Sequence, residues 1–179
     1  MGCAGSGPPP SDGLGGAATS LQAGYAVRSG LSSAESACQG VFAGYAIEGR
    51  FVGLAPRIAA CRSGYDNSYL HGSTDELGLE LRGAHAWDAG DLTVSVGVTA
   101  GGSLLRQHFD STGLAPSRNA LAAHLGILAG ATVDLVQGFY GGIELDAMTY
   151  FFQQQAMEAT RVSAPFAMRL NVLLIGKRW

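Results

Sequence analysis

The chain has 179 residues, of which 47% are apolar and 14% charged, with a formal net charge of −3. This excludes an intrinsically disordered chain, which needs low hydrophobicity and high net charge, and a pI near 5.7 argues against a dedicated nucleic-acid binder with a basic face. The 27 glycines are about twice average usage; they follow no three-residue period, which excludes collagen, and they speak against a core of interlocked large side chains.

In chain order, residues 1–18 read as a flexible Gly/Pro/Ser linker. The stretch holds no apolar run of roughly 7–15 residues behind a positive patch, as a secretory signal requires. An exported protein with this start is expected to be already processed or cut from a longer chain. Met1-Gly2-Cys3-Ala4-Gly5-Ser6 also fits the N-myristoylation pattern beside a palmitoylatable cysteine. Cys3 could alternatively bear the lipid of a trimmed bacterial lipoprotein; a plain tether is the reading taken.

From about residue 20 the chain breaks into eight segments of period two, the strand signature: 20–30, 38–48, 51–61, 76–87, 92–105, 121–135, 139–152 and 165–178. Between Leu121 and Val136 the odd positions are all apolar, whereas the even ones hold His124, Thr132 and Asp134. A transmembrane helix would scatter those polar residues without regard to parity. Each segment has the length, about ten residues, that a tilted strand needs to cross a membrane.

The connections sort by length. Gly49-Arg50, Asp88-Ala89-Gly90-Asp91 and Val136-Gln137-Gly138 are short turns, with Gly49 suited to a type II′ turn and Gly138 to the left-handed position of a bulged three-residue hairpin. Segments 31–37, 62–75, 106–120 and 153–164 are longer and polar. Alternating short turns and long loops are the pattern of an outer-membrane barrel. The turns imply registers: Val41 with Ile58, Ala43 with Pro56, Tyr45 with Leu54 and Ile47 with Val52; Trp87 with Leu92, His85 with Val94 and Leu81 with Val98; Leu135 with Phe139, Val133 with Gly141, Ala131 with Ile143 and Ile127 with Ala147. Each pairing sets apolar residues on one face.

The opposite face collects Arg28, Glu48, Arg57, Glu80, Arg82, Asp134, Glu144, Asp146 and Arg169. Alternation alone allows two barrels, one in lipid and a soluble lipocalin-like one with its faces inverted. Lipid outside is favoured because the charged face is rich in Gly and Ala, which suit a cramped interior. It is also poor in Lys, and its charges nearly balance, as buried groups must.

With these features the chain resembles the small eight-stranded outer-membrane barrels typified by OmpA and OmpX, over about residues 19–179. Its C-terminal aromatic, Trp179, after the apolar run from Phe166 to Ile175, matches the family's assembly signal, although counting back in twos from Trp179 lands on the wrong face unless a bulge lies near Gly176 or Trp179 lies beyond the last paired residue. The resemblance implies an all-β, eight-stranded antiparallel up-and-down transmembrane barrel in the bacterial outer membrane. It implies a monomer with outer-membrane lipids and the barrel assembly machinery as partners. It also implies side-chain plugging of the lumen.

That plug is expected to be an interior polar network of Arg28, Arg57, Glu80, Arg82, His124, Asp134, Glu144, Asp146 and Arg169, with His124 opposite Tyr150; a narrow gated channel is the alternative. Cys38 and Cys61 fall directly opposite in the first hairpin's register, which suggests a disulfide; two small inward residues are the plainer reading. His71-Gly72-Ser73 is the nearest approach to a nucleophile and base, with Asp75 or Glu76 as the carboxylates at hand, and it leaves a lipid A modifying enzyme as an alternative. Tyr65, Tyr69, His71, His108 and Phe109 are the loop candidates for an extracellular partner. No metal-ligand spacing, P-loop or dinucleotide fingerprint occurs, so neither cofactor nor nucleic acid is expected. The reading reached is a non-enzymatic outer-membrane barrel with a structural, adhesive or membrane-anchoring role.

Overall fold

The computed structural model describes residues 18–49, 52–68, 71–110, 117–156 and 159–178. The predicted linker lies outside the described residues but for Ala18. Among the described residues nine strands form: β1 (Ala18–Arg28), β2 (Cys38–Glu48), β3 (Gly53–Asp66), β4 (His71–Ala89), β5 (Leu92–Phe109), β6 (Arg118–Asp134), β7 (Phe139–Ala156), β8 (Ala159–Ser163) and β9 (Phe166–Arg178). Chain neighbours pair antiparallel from β1 to β7, and β9 pairs with both β7 and β1. The circuit therefore closes into an eight-stranded up-and-down barrel with no free edge.

The short β8 pairs with the tail of β7 and continues the line of β9 past the barrel wall. Pro165 separates the two because it has no N–H to give to the ladder; its carbonyl still accepts a bond from Tyr150 N at 2.9 Å. The predicted 153–164 loop is thus largely strand. The same holds for 62–75, where β3 runs on to Asp66 and β4 starts at His71, and strand also enters both ends of 106–120, where β5 reaches Phe109 and β6 starts at Arg118. β4 has 19 residues and β5 and β7 have 18 each, beyond the about 9–11 needed to cross a bilayer. The loop end of the wall consequently stands above the membrane, where its strands turn polar.

Leu21, Val41, Ile58, Leu79, Val98, Leu125, Ile127, Ile143 and Met168 all point outward and are exposed. A continuous apolar surface on this scale is far larger than a soluble monomer carries; in hydrocarbon it is matched. Trp87 lies exposed toward the short turns and Phe151 and Phe166 toward the loops, the heights at which amphipathic or bulky rings meet headgroups. The inverted, lipocalin-like arrangement is overturned by this facing, since the charged residues point inward.

The turns show how register is set. In the β6–β7 hairpin, Val133 pairs with Gly141, Ala131 with Ile143 and Ile127 with Ala147 as expected, and both Gln137 (φ 55°) and Gly138 (φ 78°) adopt the left-handed conformation. The other two hairpins are offset by two residues from expectation. β2–β3 pairs Ala43 with Ile58 and Ile47 with Leu54, because residues 49–52 form the connection, with Gly49 N bonded to Val52 O at 3.2 Å. β4–β5 pairs Trp87 with Val94 and Ala89 with Leu92, leaving Gly90 (φ 72°) and Asp91 as a two-residue turn. An offset of two preserves facing, because side chains alternate with period two.

Near its end β9 carries a bulge: Ala23 pairs with Ile175 but Gly24 with Leu173. The extra residue swaps parity, so that Gly176 is buried against the Tyr140 ring while Lys177 is exposed. Of the two ways to reconcile the C-terminal parity, a bulge is the one present. Trp179 itself lies outside the described residues.

Candidate functional site in the charged interior

Inward positions on eight different strands converge on the lumen, where a closed barrel of this size leaves little more than side-chain volume. The middle of the lumen holds a chain of alternating charges. Arg57 donates to both oxygens of Glu144, at 2.6 and 3.0 Å, and to Gln22 Oε1 at 2.6 Å. Glu144 also accepts from Arg82, which reaches on to Asp146. Asp146 accepts from Arg169 Nε and Asn171 Nδ2, each at 2.8 Å, and Arg169 forks onto Glu80 at 2.7 and 2.9 Å. Gln22 ties the lower end to Tyr140 OH at 3.0 Å. These charge-assisted, partly bidentate bonds are the strong kind.

A second cluster sits toward the loops. Glu76 takes Arg28 at 3.0 Å, Ser103 Oγ at 2.7 Å and Tyr150 OH at 3.0 Å. Arg28 also reaches Glu35 at 3.4 Å. Glu35 belongs to the β1–β2 connection, which pairs with the protruding end of β3 through Ser36 N to Gly64 O and Asp66 N to Ala34 O; its carboxylate accepts from Leu31 N at 2.9 Å and Ser63 Oγ at 2.6 Å. Between the two clusters remains a cavity of about 20 Å³, lined among others by Glu76, Glu80, Ser103, His124 and Tyr150. That suffices for about one water.

Cys38 and Cys61 are bonded to each other, with Cα atoms 5.6 Å apart. They are not directly opposite: Gly40 is the register partner of Cys61, so the bridge runs diagonally across β2 and β3. Gly40 is required there, because a Cβ would lie 1.9 Å from Ala60 O and 2.6 Å from Cys61 Cβ. Glu76 and the two sulfurs lie within 4.8 Å of one another, but sulfurs joined in a disulfide are not thiolate ligands.

Of the residues expected in the network, Arg57, Glu80, Arg82, Glu144, Asp146 and Arg169 are brought together, while Arg28 stands in the second cluster with Glu76 and Glu35. His124 is buried facing Tyr150, ring centroids 5.1 Å apart, and 3.6 Å from Glu80; both of its nitrogens lack a hydrogen bond within protein. Asp134 is not in the network: it is exposed near the β6–β7 turn, because inward parity carries no burial once the wall has ended. Sequence reasoning missed Glu35, Glu76, Gln22, Tyr140 and Asn171. Glu76 and Asn171 had the correct parity signal; Glu35, on a loop, had none.

The outer wall at the loop end carries a second polar group. Asp66 and His71 are register partners on β3 and β4, with Oδ1 and Nδ1 2.9 Å apart. Ser73, two residues along the same face, lies opposite Gly64 and His108. His71 thus finds its carboxylate in Asp66, not in Asp75 or Glu76: Glu76 points into the lumen, and Asp75 pairs with Arg62 at 2.6 Å. The hydrogen bonds from Arg62 hold the Asp75 carboxyl below its ordinary range. Tyr65 and Phe109 pack edge to face, centroids 6.0 Å apart. Tyr69 lies outside the described residues.

No protein-family model matches the sequence, and no curated protein does. The fold is that of small outer-membrane barrels. The outer-membrane protein OprG of Pseudomonas aeruginosa is similar at a TM-score of 0.60 and 12% identity, over 93% of this chain and 98% of that one. Ail, the attachment invasion locus protein of Yersinia pestis, solved with the heparin analogue sucrose octasulfate, is similar at a TM-score of 0.52 and 17% identity, over 91% of this chain and 99% of that one. A major outer membrane protein of Thermus thermophilus aligns at a TM-score of 0.52 and 15% identity, over 91% and 99%.

Proposed function

We propose that this outer-membrane barrel is a non-enzymatic, structural or adhesive membrane protein whose lumen is plugged and whose working surface is its loop end. The observation that carries the reading is the unbroken chain from Arg57 through Glu144, Arg82, Asp146 and Arg169 to Glu80. A conducting path would have to break several buried, charge-assisted bonds at once, and breaking a single such pair costs about 3–5 kcal/mol. The extended β4, β5 and β7 supply a stiff rim outside the membrane, suited to holding a partner surface or a further domain. On this reading the barrel reaches the outer membrane through the assembly machinery and acts as a monomer among outer-membrane lipids. Planar-bilayer recording tests the plug: no steady conductance is expected, and steady openings that change when Glu80 or Arg82 is neutralised would overturn it.

A second reading, a lipid-modifying enzyme, is favoured by one arrangement. Asp66, His71 and Ser73 share an outward face just above the apolar belt, with the carboxylate on the imidazole Nδ1 as a general base needs. Its test is the mass of lipid A from cells carrying the protein or Ser73→Ala; a modification lost with the serine would replace the first reading with this one.

A further inference from the structure

Outside the lumen, a polar row runs round the wall directly above the belt. On β2 to β6 the outward residues Gln39, Arg62, Asp75, Arg106 and Asn119 are successive register partners. Two positions nearer the short turns, the same strands present Val41, Ala60, Leu77, Leu104 and Leu121, again partner to partner. A groove of about 610 Å³ spans the two rows, lined by Arg62, Asp75, Leu77, Leu104, Arg106 and His108 among others.

Glu76 also borders the groove, but its carboxylate is bound in the lumen by Arg28, Ser103 and Tyr150, so the outward charges do not cancel: two arginines face one carboxylate. Arg62 is committed to Asp75 through two hydrogen bonds of 2.6 and 2.9 Å. His108 Nε2 stands 3.7 Å from the same carboxylate. Arg106 has no hydrogen-bond or ion-pair partner among the described residues, although its charge is felt at Asp75. A lipid-facing guanidinium is tolerated only close to the interface, and there it meets headgroups, whose phosphates suit its planar fork.

We propose that this groove binds the phosphate of an anionic lipid headgroup in the outer leaflet. Arg106 holds the phosphate oxygens, and the acyl chains lie on Leu77 and Leu104. The apolar floor points to a lipid: one molecule whose chains lie on Leu77 and Leu104 carries its phosphate at the height of Arg106 and fills both rows at once. The inference is independent of the plugged lumen and of any chemistry at Ser73.

The test uses the full chain folded in phosphatidylcholine vesicles with a small fraction of spin-labelled phosphatidic acid or phosphatidylcholine. The motionally restricted fraction gives the relative association of the two lipids. The wild-type barrel should prefer phosphatidic acid, and Arg106→Gln should cut that preference by about fivefold, the value of one cation near a charged headgroup. Heat-modifiable gel migration verifies that the variant is folded. If it is not, Asp75→Asn serves instead and should raise the preference, since it removes the competing anion. Equal association of both lipids with wild type, a preference untouched by Arg106→Gln, or no rise with Asp75→Asn would overturn the proposal. So would displacement of the labelled lipid by millimolar inorganic phosphate, which would assign the groove to a soluble anion.

Discussion

Arg82 and Asp146 stand 64 positions apart in the chain and meet inside the barrel, where Asp146 is fully buried. The same carboxylate takes Arg169 and Asn171, so three elements, β4, β7 and β9, are tied at one group. Such a junction closes the circuit from inside, in addition to the backbone ladder between β7 and β9.

Replacing Asp146 by Asn is therefore expected to destabilise the barrel strongly. The amide keeps the volume but leaves Arg82 and Arg169 without their shared anion, and removing one member of a buried ionic set costs about 3–5 kcal/mol. Urea unfolding of the folded protein in lipid, followed by tryptophan fluorescence, measures this. A loss below about 1 kcal/mol, the value of an exposed pair, would mean that the lumen is more hydrated than its geometry indicates.

Glu35 offers a test of the mouth. It is fastened to Arg28, Leu31 N and Ser63, and it ties the β1–β2 connection to two inward-facing side chains. In Glu35→Ala the amides of Leu31 and Ser36 should exchange about ten- to a hundredfold faster, as loss of bonds to a charged acceptor worth about 1.5–3 kcal/mol implies. Amides of the belt, such as those of Leu79 and Val98, should be unchanged. Hydrogen exchange read by mass spectrometry separates the two populations.

Parity sorted the wall into two faces, and the small, Lys-poor, charge-balanced character of one of them set it inside; a charge placed toward lipid is costly, and none of Arg57, Glu80, Arg82 or Asp146 sits there. Registers were less legible. Gly138 forced a left-handed turn that only one hairpin geometry satisfies, and β6–β7 came out as read; Gly49 and Gly90 admitted loops of two lengths, and the longer one occurred at Gly49. How far toward a turn an inward residue stays sealed was not legible. Asp134 and Asp146 have the same parity, yet one is exposed near a turn and the other sealed in the lumen. Glu35 could not be found from strand period, since it enters the mouth from a loop. The loop-end strands hid for a related reason: beyond the membrane both faces become polar, and the alternation that marks a strand loses its contrast.

The diagonal disulfide predicts a labelling pattern. Of the three cysteines, only Cys3 should alkylate without reductant, and Cys38 and Cys61 should follow after reduction in denaturant. The bridge joins residues 23 apart, and closing a loop of that size in the unfolded chain is worth about 3 kcal/mol. Cys38→Ala with Cys61→Ala should lower stability by up to that amount, while the β2–β3 pairing itself persists. Two thiols reactive in the folded, unreduced protein would remove the bridge.

Asp75 gives the clearest pH signature outside the membrane. Its carboxyl titrates below the ordinary range because Arg62 donates two hydrogen bonds to the ionised form. A carboxyl whose folded value is depressed contributes stability above its unfolded value, and that contribution is lost as pH falls through the folded one. The loss should thus come in acid, beneath the window in which an unpaired aspartate titrates. Both side chains face water and salt, so the effect should show at Asp75 itself more than in global unfolding. Carbon-detected NMR of the aspartate carboxyls in detergent measures it: Arg62→Gln should move the Asp75 midpoint up toward the ordinary range. An unchanged midpoint would mean that Arg62 does not hold this carboxylate in solution.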